Sequence, residues 1–230
     1  MLHILYHLVA FAHYGYGVYY DLNHVFIPHT ILKTQSWNLP FKGRIIFLTH
    51  WCLLIQTFFF GLCVLCDITG SKTLKKFKNF LHTTIAFPLA FIVGITFWAI
   101  YAIDRELIFP KVLDEYFPGW LNHLMHTNIM VFTVIEMITS ERNYPKRSTG
   151  IKTLMAFLLT YCIWMNIIYQ VTGYWVYPIM EVLSIPLQIL FYLLVLGFGV
   201  SLYIVGEHFN SYVWLKDISS EQRSNKNKRS

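Results

Sequence analysis

An all-α polytopic membrane protein, a single bundle of six transmembrane helices with both termini cytosolic, is what this sequence predicts, on three observations. The 230 residues are 56 % hydrophobic and only 13 % charged, with a mean hydropathy of +0.48; a soluble domain is nearer half apolar and a quarter charged. Six apolar runs, 2–22, 44–67, 79–103, 120–138, 151–171 and 184–207, each approach the ~20 residues that cross a hydrocarbon core, and no loop between them is long enough to fold alone. Finally, thirteen of the 18 Lys and Arg residues fall in 70–78, 141–152 and the carboxyl tail, while Lys33, Lys42, Arg44, Arg105 and Lys111 hold the opposite side. Positive charge retained in the cytosol sets that orientation.

The first run, MLHILYHLVAFAHYGYGVYY, lacks a basic start and a small-residue cleavage site, so it reads as a retained span rather than a signal peptide. His3, His7 and His13 interrupt it, and Gly15 and Gly17 weaken it. The second run begins near Arg44 and carries Thr49, Gln56 and Cys63 at intervals of seven, a spacing that drifts only about 20° per step and lines one helix face. Pro88 in the third run and Pro186 in the sixth are tolerable because neighbouring helices satisfy the freed carbonyls. The fourth opens on WLNHLMHTN, where Asn122, His123, His126 and Thr127 form a polar stripe of about one turn. Residues 1–215 thus form the membrane domain, and 216–230, rich in Ser, Lys and Asn, are expected as a basic, disordered cytosolic tail.

Composition also narrows function. The basic charge lies in short loops and the tail, beside apolar runs and without interleaved aromatics on a soluble face, so lipid headgroups explain it and nucleic acid is not expected as a partner. All four cysteines fall inside spans, and Cys63 and Cys66 lack the second pair a zinc site needs. No G-x-S-x-G occurs, so a nucleophile would have to be unconventional.

With the predicted orientation, the second and fourth helices both run inward from the outer face. Thr49 lies five residues beyond Arg44 and His126 six beyond Trp120, which at 1.5 Å per residue puts both roughly 7–9 Å deep. A threonine hydroxyl serves as nucleophile when a neutral imidazole takes its proton. Three other readings use the same residues. The polar stripe can simply hydrogen-bond between helices. His123 and His126 can chelate a metal with His50 or Glu136, although no H-E-x-x-H is present. A bis-histidine haem needs histidines deep in paired spans, and the fifth and sixth helices offer none before His208.

Longer stretches carry a resemblance: FLTHWCLLIQTFFFGLCVLCD at 47–67, IAFPLAFIVGITFWAIYAIDRELIFPKVLD at 85–114, PGWLNHLMHT at 118–127, YPKRSTG at 144–150, TGYWVYP at 172–178 and GEHFN at 206–210. On these the chain resembles the family of the androgen-induced gene product and the androgen-dependent tissue-factor-pathway-inhibitor-regulating protein, six-helix membrane proteins. The resemblance implies an intramembrane threonine hydrolase, without cofactor, that cleaves fatty acid esters of hydroxy fatty acids drawn from the bilayer. It places the nucleophile on Thr49, seven residues before Gln56, and the histidine on His126, the second of N-H-x-M-H-T. His50 departs from the family, and the first span matches poorly. A non-catalytic membrane regulator that only binds lipid in the same pocket is the alternative class.

Around that pair, Asn122, His123 and Thr127 are expected to orient His126 or donate to the oxyanion, and Arg44, Arg105 and Lys111 to attract the substrate carboxylate at the rim. The charges at 104–115 read as a solvated loop or a cap on the cavity, and Tyr174, Trp175 and Tyr177 as an interfacial belt or a lid. Lys226 and Lys228, fifth and third from the end, look like a dilysine signal for the endoplasmic reticulum, with the plasma membrane as the alternative address.

Overall fold

The computed structural model describes residues 2–28, 31 and 40–227, and of these the side chains of Pro40, Lys42 and 215–227 are not described. Lys33 and Lys228 lie outside the described residues. Every regular element described is helical: α1 Leu2–His24, α2 Leu48–Thr69, α3 Lys72–Leu81, α4 Phe87–Asp104, α5 Gly119–His123, α6 Ile129–Thr139, α7 Arg147–Thr172, α8 Ile179–Val182 and α9 Ile185–Asn227. Four stretches, 48–69, 72–107, 147–172 and 185–214, are long and apolar enough to cross a membrane. The protein is therefore an all-helical membrane protein.

Two expected spans, 2–22 and 120–138, are helical but fall outside those four, and the reason is visible in their packing. The inward face of α1 is His7, Ala10, Tyr14, Gly17 and Asp21, a helical spacing that turns its polar residues toward α2 and α6. His7 meets Asp67 and Glu136, His13 Nε2 meets Asn128 Nδ2 at 3.0 Å, and Tyr14 donates to the Asn128 carbonyl at 3.0 Å. Residues that lower the mean hydropathy are thus those that join helices.

The second run does not begin its helix at Arg44. A 3₁₀ turn, Pro40–Ile46, precedes it, with Gly43 at φ 80° and Phe47 extended at φ −95°, ψ 129°, and α2 starts at Leu48. Indole and phenol donors hold the turn: Trp51 and Trp164 donate to the Ile45 carbonyl at 2.6 and 3.0 Å, and Tyr161 to that of Ile46 at 3.0 Å. Thr49 therefore stands in the first turn of α2, not five residues down it.

The third run starts at Lys72 rather than 79, behind a Ser71 cap that accepts from the Leu74 N–H, so the basic 70–78 segment is largely helix. A π-helical turn, His82–Ala86, joins α3 to α4 just before Pro88. Proline lacks the amide N–H and crowds the preceding turn, and one wider turn absorbs both defects. α4 is the central rod, packing on α2, α6 and α9, while α7 and α9 form the outer layer. Only 28 % of the apolar window of α7 and 22 % of that of α9 is buried within the protein, which leaves these two helices facing lipid.

Candidate active site

A second π-helical turn, Leu124–Asn128, links α5 to α6 and carries His126. Its Nδ1 lies 3.0 Å from the Asn122 carbonyl oxygen, which only accepts, so Nδ1 carries the proton and Nε2 keeps its lone pair. That Nε2 is 3.3 Å from Thr49 Oγ1. Phe97 of α4 lies flat on the imidazole, ring centroids 3.6 Å apart and 15° from parallel. The histidine is thus fixed in tautomer by a backbone carbonyl, in plane by an aromatic ring, and aimed at a hydroxyl. That set can move a proton from Thr49 to His126.

A glycine makes the position possible. A Cβ on Gly94 would stand 2.6 Å from the His126 carbonyl oxygen and 2.6 Å from Met130 Sδ, so α4 approaches the π turn only because residue 94 has no side chain. Gly94→Val is expected to lower stability by roughly 1–3 kcal/mol, the usual cost of overpacking, read as thermal unfolding in detergent. Adding Met130→Ala should not rescue it, because the backbone oxygen remains; full rescue would show that the sulfur alone sets the spacing.

Both residues open on a cavity of about 520 Å³, within the range of ligand sites. Its polar lining includes Asp21, Arg44, Thr49, His50, His126 and Tyr177. The Tyr177 hydroxyl accepts from the Leu48 N–H at 3.1 Å and neighbours the Thr49 side chain. Tyr161 donates to the Ile46 carbonyl at 3.0 Å and its hydroxyl lies 3.1 Å from that of Tyr177, so the Tyr177 proton has the Tyr161 oxygen as well as the Thr49 side chain within reach. Asp21 Oδ1 is 3.1 Å from Arg44 Nε and its Oδ2 is 3.1 Å from His50 Nδ1, all three residues at most 4 % exposed. Burial pulls the Arg44 guanidinium below its ordinary value while Asp21 holds it up. The far wall is apolar, from α4, α7 and α9, and a second groove of about 460 Å³ between α7 and α9 shares Cys162, Tyr192 and Leu196 with it.

Several expected site residues stand elsewhere. His123 and Thr127 turn away: Thr127 Oγ1 is 3.1 Å from His123 Nδ1 and accepts from Trp98 Nε1 at 3.1 Å, with Trp98 stacked on the His123 ring. Asn122 contributes through its backbone carbonyl. Gln56 is fully buried and donates to the Ala86 carbonyl at 2.8 Å, tying α2 to the π turn before α4. Arg44 is no rim cation but a buried partner of Asp21. Arg105 pairs with Asp114 at 2.6 Å and Lys111 is exposed, neither lining the cavity; the charges of the 104–115 segment stay at the surface, while its Ile108, Phe109, Pro110, Val112 and Leu113 close one side of the cavity. His126 and His123, facing apart, do not converge as metal ligands. Groups with ligand atoms close enough for a metal, His3–His7–Asp67 and His7–Cys63–Glu136, gather at the other end of α2, where Glu136 is also engaged by Arg142. Sequence reasoning missed Asp21, Phe97 and Gly94; the four-residue spacing of Gly17 and Asp21 on the face of His7 and Tyr14 was the one available signal.

The FAR-17a/AIG1-like protein family profile matches residues 2–211. The human androgen-induced gene 1 protein is 40 % identical over 199 residues, 79 % of this chain and 82 % of that protein. The rat androgen-dependent TFPI-regulating protein is 36 % identical over 230 residues, covering 96 % and 97 %, and a membrane protein of Schizosaccharomyces pombe is 35 % identical over 155 residues, covering 64 % and 66 %. No solved structure matches.

Proposed function

The chain belongs to the FAR-17a/AIG1-like family, and on that premise we propose that it is an intramembrane lipid-ester hydrolase acting on fatty acid esters of hydroxy fatty acids. The observation that carries the reading is the 3.3 Å approach of Thr49 Oγ1 to a His126 Nε2 whose tautomer is already that of a base.

Thr49 Oγ1 attacks the ester carbonyl carbon while its proton passes to His126 Nε2. The carbonyl oxygen takes the negative charge. Thr49 sits in the first turn of a 22-residue helix, whose positive end favours that charge, and the Tyr177 hydroxyl, beside Thr49, would donate to it. Collapse breaks the bond to the alcohol oxygen, which leaves with the proton from His126 as the free hydroxy acid. Water then attacks the acyl-threonine, His126 again taking the proton and returning it to Thr49 Oγ1 as the acyl bond breaks and the fatty acid departs. The 3.3 Å spacing is longer than an ordinary O–H···N bond, as is common before substrate closes a site.

Location supports the same substrate class. The cavity wall from α4, α7 and α9 is mostly apolar, and the part it shares with the α7–α9 groove offers a lateral route from the bilayer, so a doubly acylated lipid slides in without crossing water. Residence in the endoplasmic reticulum is part of the proposal and rests on the Lys226 and Lys228 tail signal.

A fluorophosphonate probe on the purified protein tests the reading: mass spectrometry should find the adduct on Thr49, and His126→Ala should prevent it. An unlabelled protein that still binds lipid would instead be the non-catalytic binder. The pair needs no Lewis acid, so strong chelators should leave hydrolysis unchanged. Activity lost on chelation and restored by one metal would point to the His7–Cys63–Glu136 group instead.

A further inference from the structure

His50 is the odd member of the cavity wall. It is 1 % exposed and lines the cavity, its Nδ1 is held by Asp21 Oδ2 at 3.1 Å, and its Nε2 is buried with no hydrogen-bond partner among the described residues. A buried ring nitrogen without a partner is costly unless something fills it. The surroundings say what kind of group does. Asp21 cancels Arg44, so with neutral His50 the trio carries no net charge. In that state Nδ1–H donates to Asp21 and Nε2 is an acceptor, which calls for a ligand that brings a proton.

We propose that Asp21, His50 and Arg44 form a head-group subsite that takes the carboxyl group of an amphiphilic lipid, the acid giving its proton to His50 Nε2 and the carboxylate resting against the imidazolium. The inference rests on the hydrolase reading in that the lipid is then its substrate or product. The charges close: Asp21 and the carboxylate supply two negatives, Arg44 and His50 two positives, and no ion is left unpaired in the low-dielectric wall. A carboxylic acid arrives from the bilayer neutral and carries the needed proton. A phosphodiester head group has no such proton and would bury an uncompensated charge. An alcohol can donate to Nε2 but leaves nothing for a charge-assisted bond, which is about twice as strong as a neutral one.

Adjacent residues on a helix diverge by about 100°, so Thr49 and His50 face different parts of one cavity. The subsite would therefore hold the free carboxyl while the ester of the same molecule lies at Thr49. His50 is a binding residue here, not part of the proton transfer to Thr49.

The experiment is displacement of a fluorescent fatty acid from the full chain in lipid nanodiscs, corrected for partitioning into empty discs. Palmitic acid should displace about tenfold better than hexadecanol or the phosphodiester methyl hexadecyl phosphate. His50→Gln should remove that preference, and Thr49→Ala should keep it. Equal displacement by acid and alcohol on the unaltered chain, which needs no variant to fold, would overturn the proposal, as would an intact acid preference in His50→Gln. Acid preference without hydrolysis in the unaltered chain would sink the hydrolase reading and leave the subsite standing.

Discussion

Thr49→Ala is expected to abolish cleavage of a fatty acid ester of a hydroxy fatty acid, with folded protein recovered in normal amount. In the proposed mechanism, removal of the Thr49 hydroxyl leaves nothing for the base to activate, and His126→Ala removes a proton acceptor worth about 10²–10⁴-fold. Because the two act as one unit, the double variant should be scarcely worse than either single one. Thr49→Ser keeps the hydroxyl and should keep part of the rate. His123→Ala, whose ring lies on Trp98 and not toward Thr49, should stay active. Purified proteins assayed for released fatty acid decide the matter; full activity in Thr49→Ala would remove threonine from the mechanism.

The contrast between His126 and His123 also marks what a sequence can and cannot disclose. Asn122, His123, His126 and Thr127 read as one polar stripe, yet residues four apart share a row and neighbours differ by about 100°. The stripe is two rows. Asn122 and His126 face inward, while His123 and Thr127 face Trp98. Which row turns inward depends on how the π turn packs on Gly94, a tertiary fact. The pairing of Thr49 with His126 was legible because motif and depth agreed. Even so, the depth rested on a helix starting at Arg44, whereas a 3₁₀ turn and an extended Phe47 intervene. Asp21 was harder to find: its partner His50 is 29 positions away in sequence, and no local spacing joins them. The long apolar helices were legible throughout, since hydropathy alone specifies them. α1 and the α5–α6 stretch were legible as helices, but their polar residues, satisfied across helices, bring their hydropathy below that of the other four.

At the other end of α2 stands the second large expected effect. Arg142, in the loop after α6, is 2 % exposed and engages the fully buried Glu136, whose other oxygen is 2.9 Å from His7 Nε2, while His7 Nδ1 meets Asp67. Arg142 also donates to Asn79 Oδ1 at 3.1 Å, and its backbone N–H and carbonyl are both bonded to Asn210, so one residue ties α3, α6 and α9. Burial pulls its guanidinium down to about 10, which still leaves it charged at neutral pH. Asp67 and Glu136 bring two negative charges to this group, and the cations that face them are Arg142 and the buried Lys78, whose charge also acts on His7 and Asp67. Arg142→Ala breaks that balance and leaves Glu136 short of its cation, at an expected cost of about 3–5 kcal/mol. Replacing both partners, Arg142→Met with Glu136→Leu, should recover most of the loss, because no buried charge is then stranded between these two positions, although His7 and Asp67 remain. Thermal unfolding of the single and double variants in one detergent measures the difference. Thr49 and Asp67 stand 18 residues apart on one helix, about 27 Å, so probe labelling at Thr49 in Arg142→Ala should persist below its lowered unfolding temperature. A single variant as stable as the unaltered chain would show that the group is wet and screened rather than the buried clasp its exposure indicates.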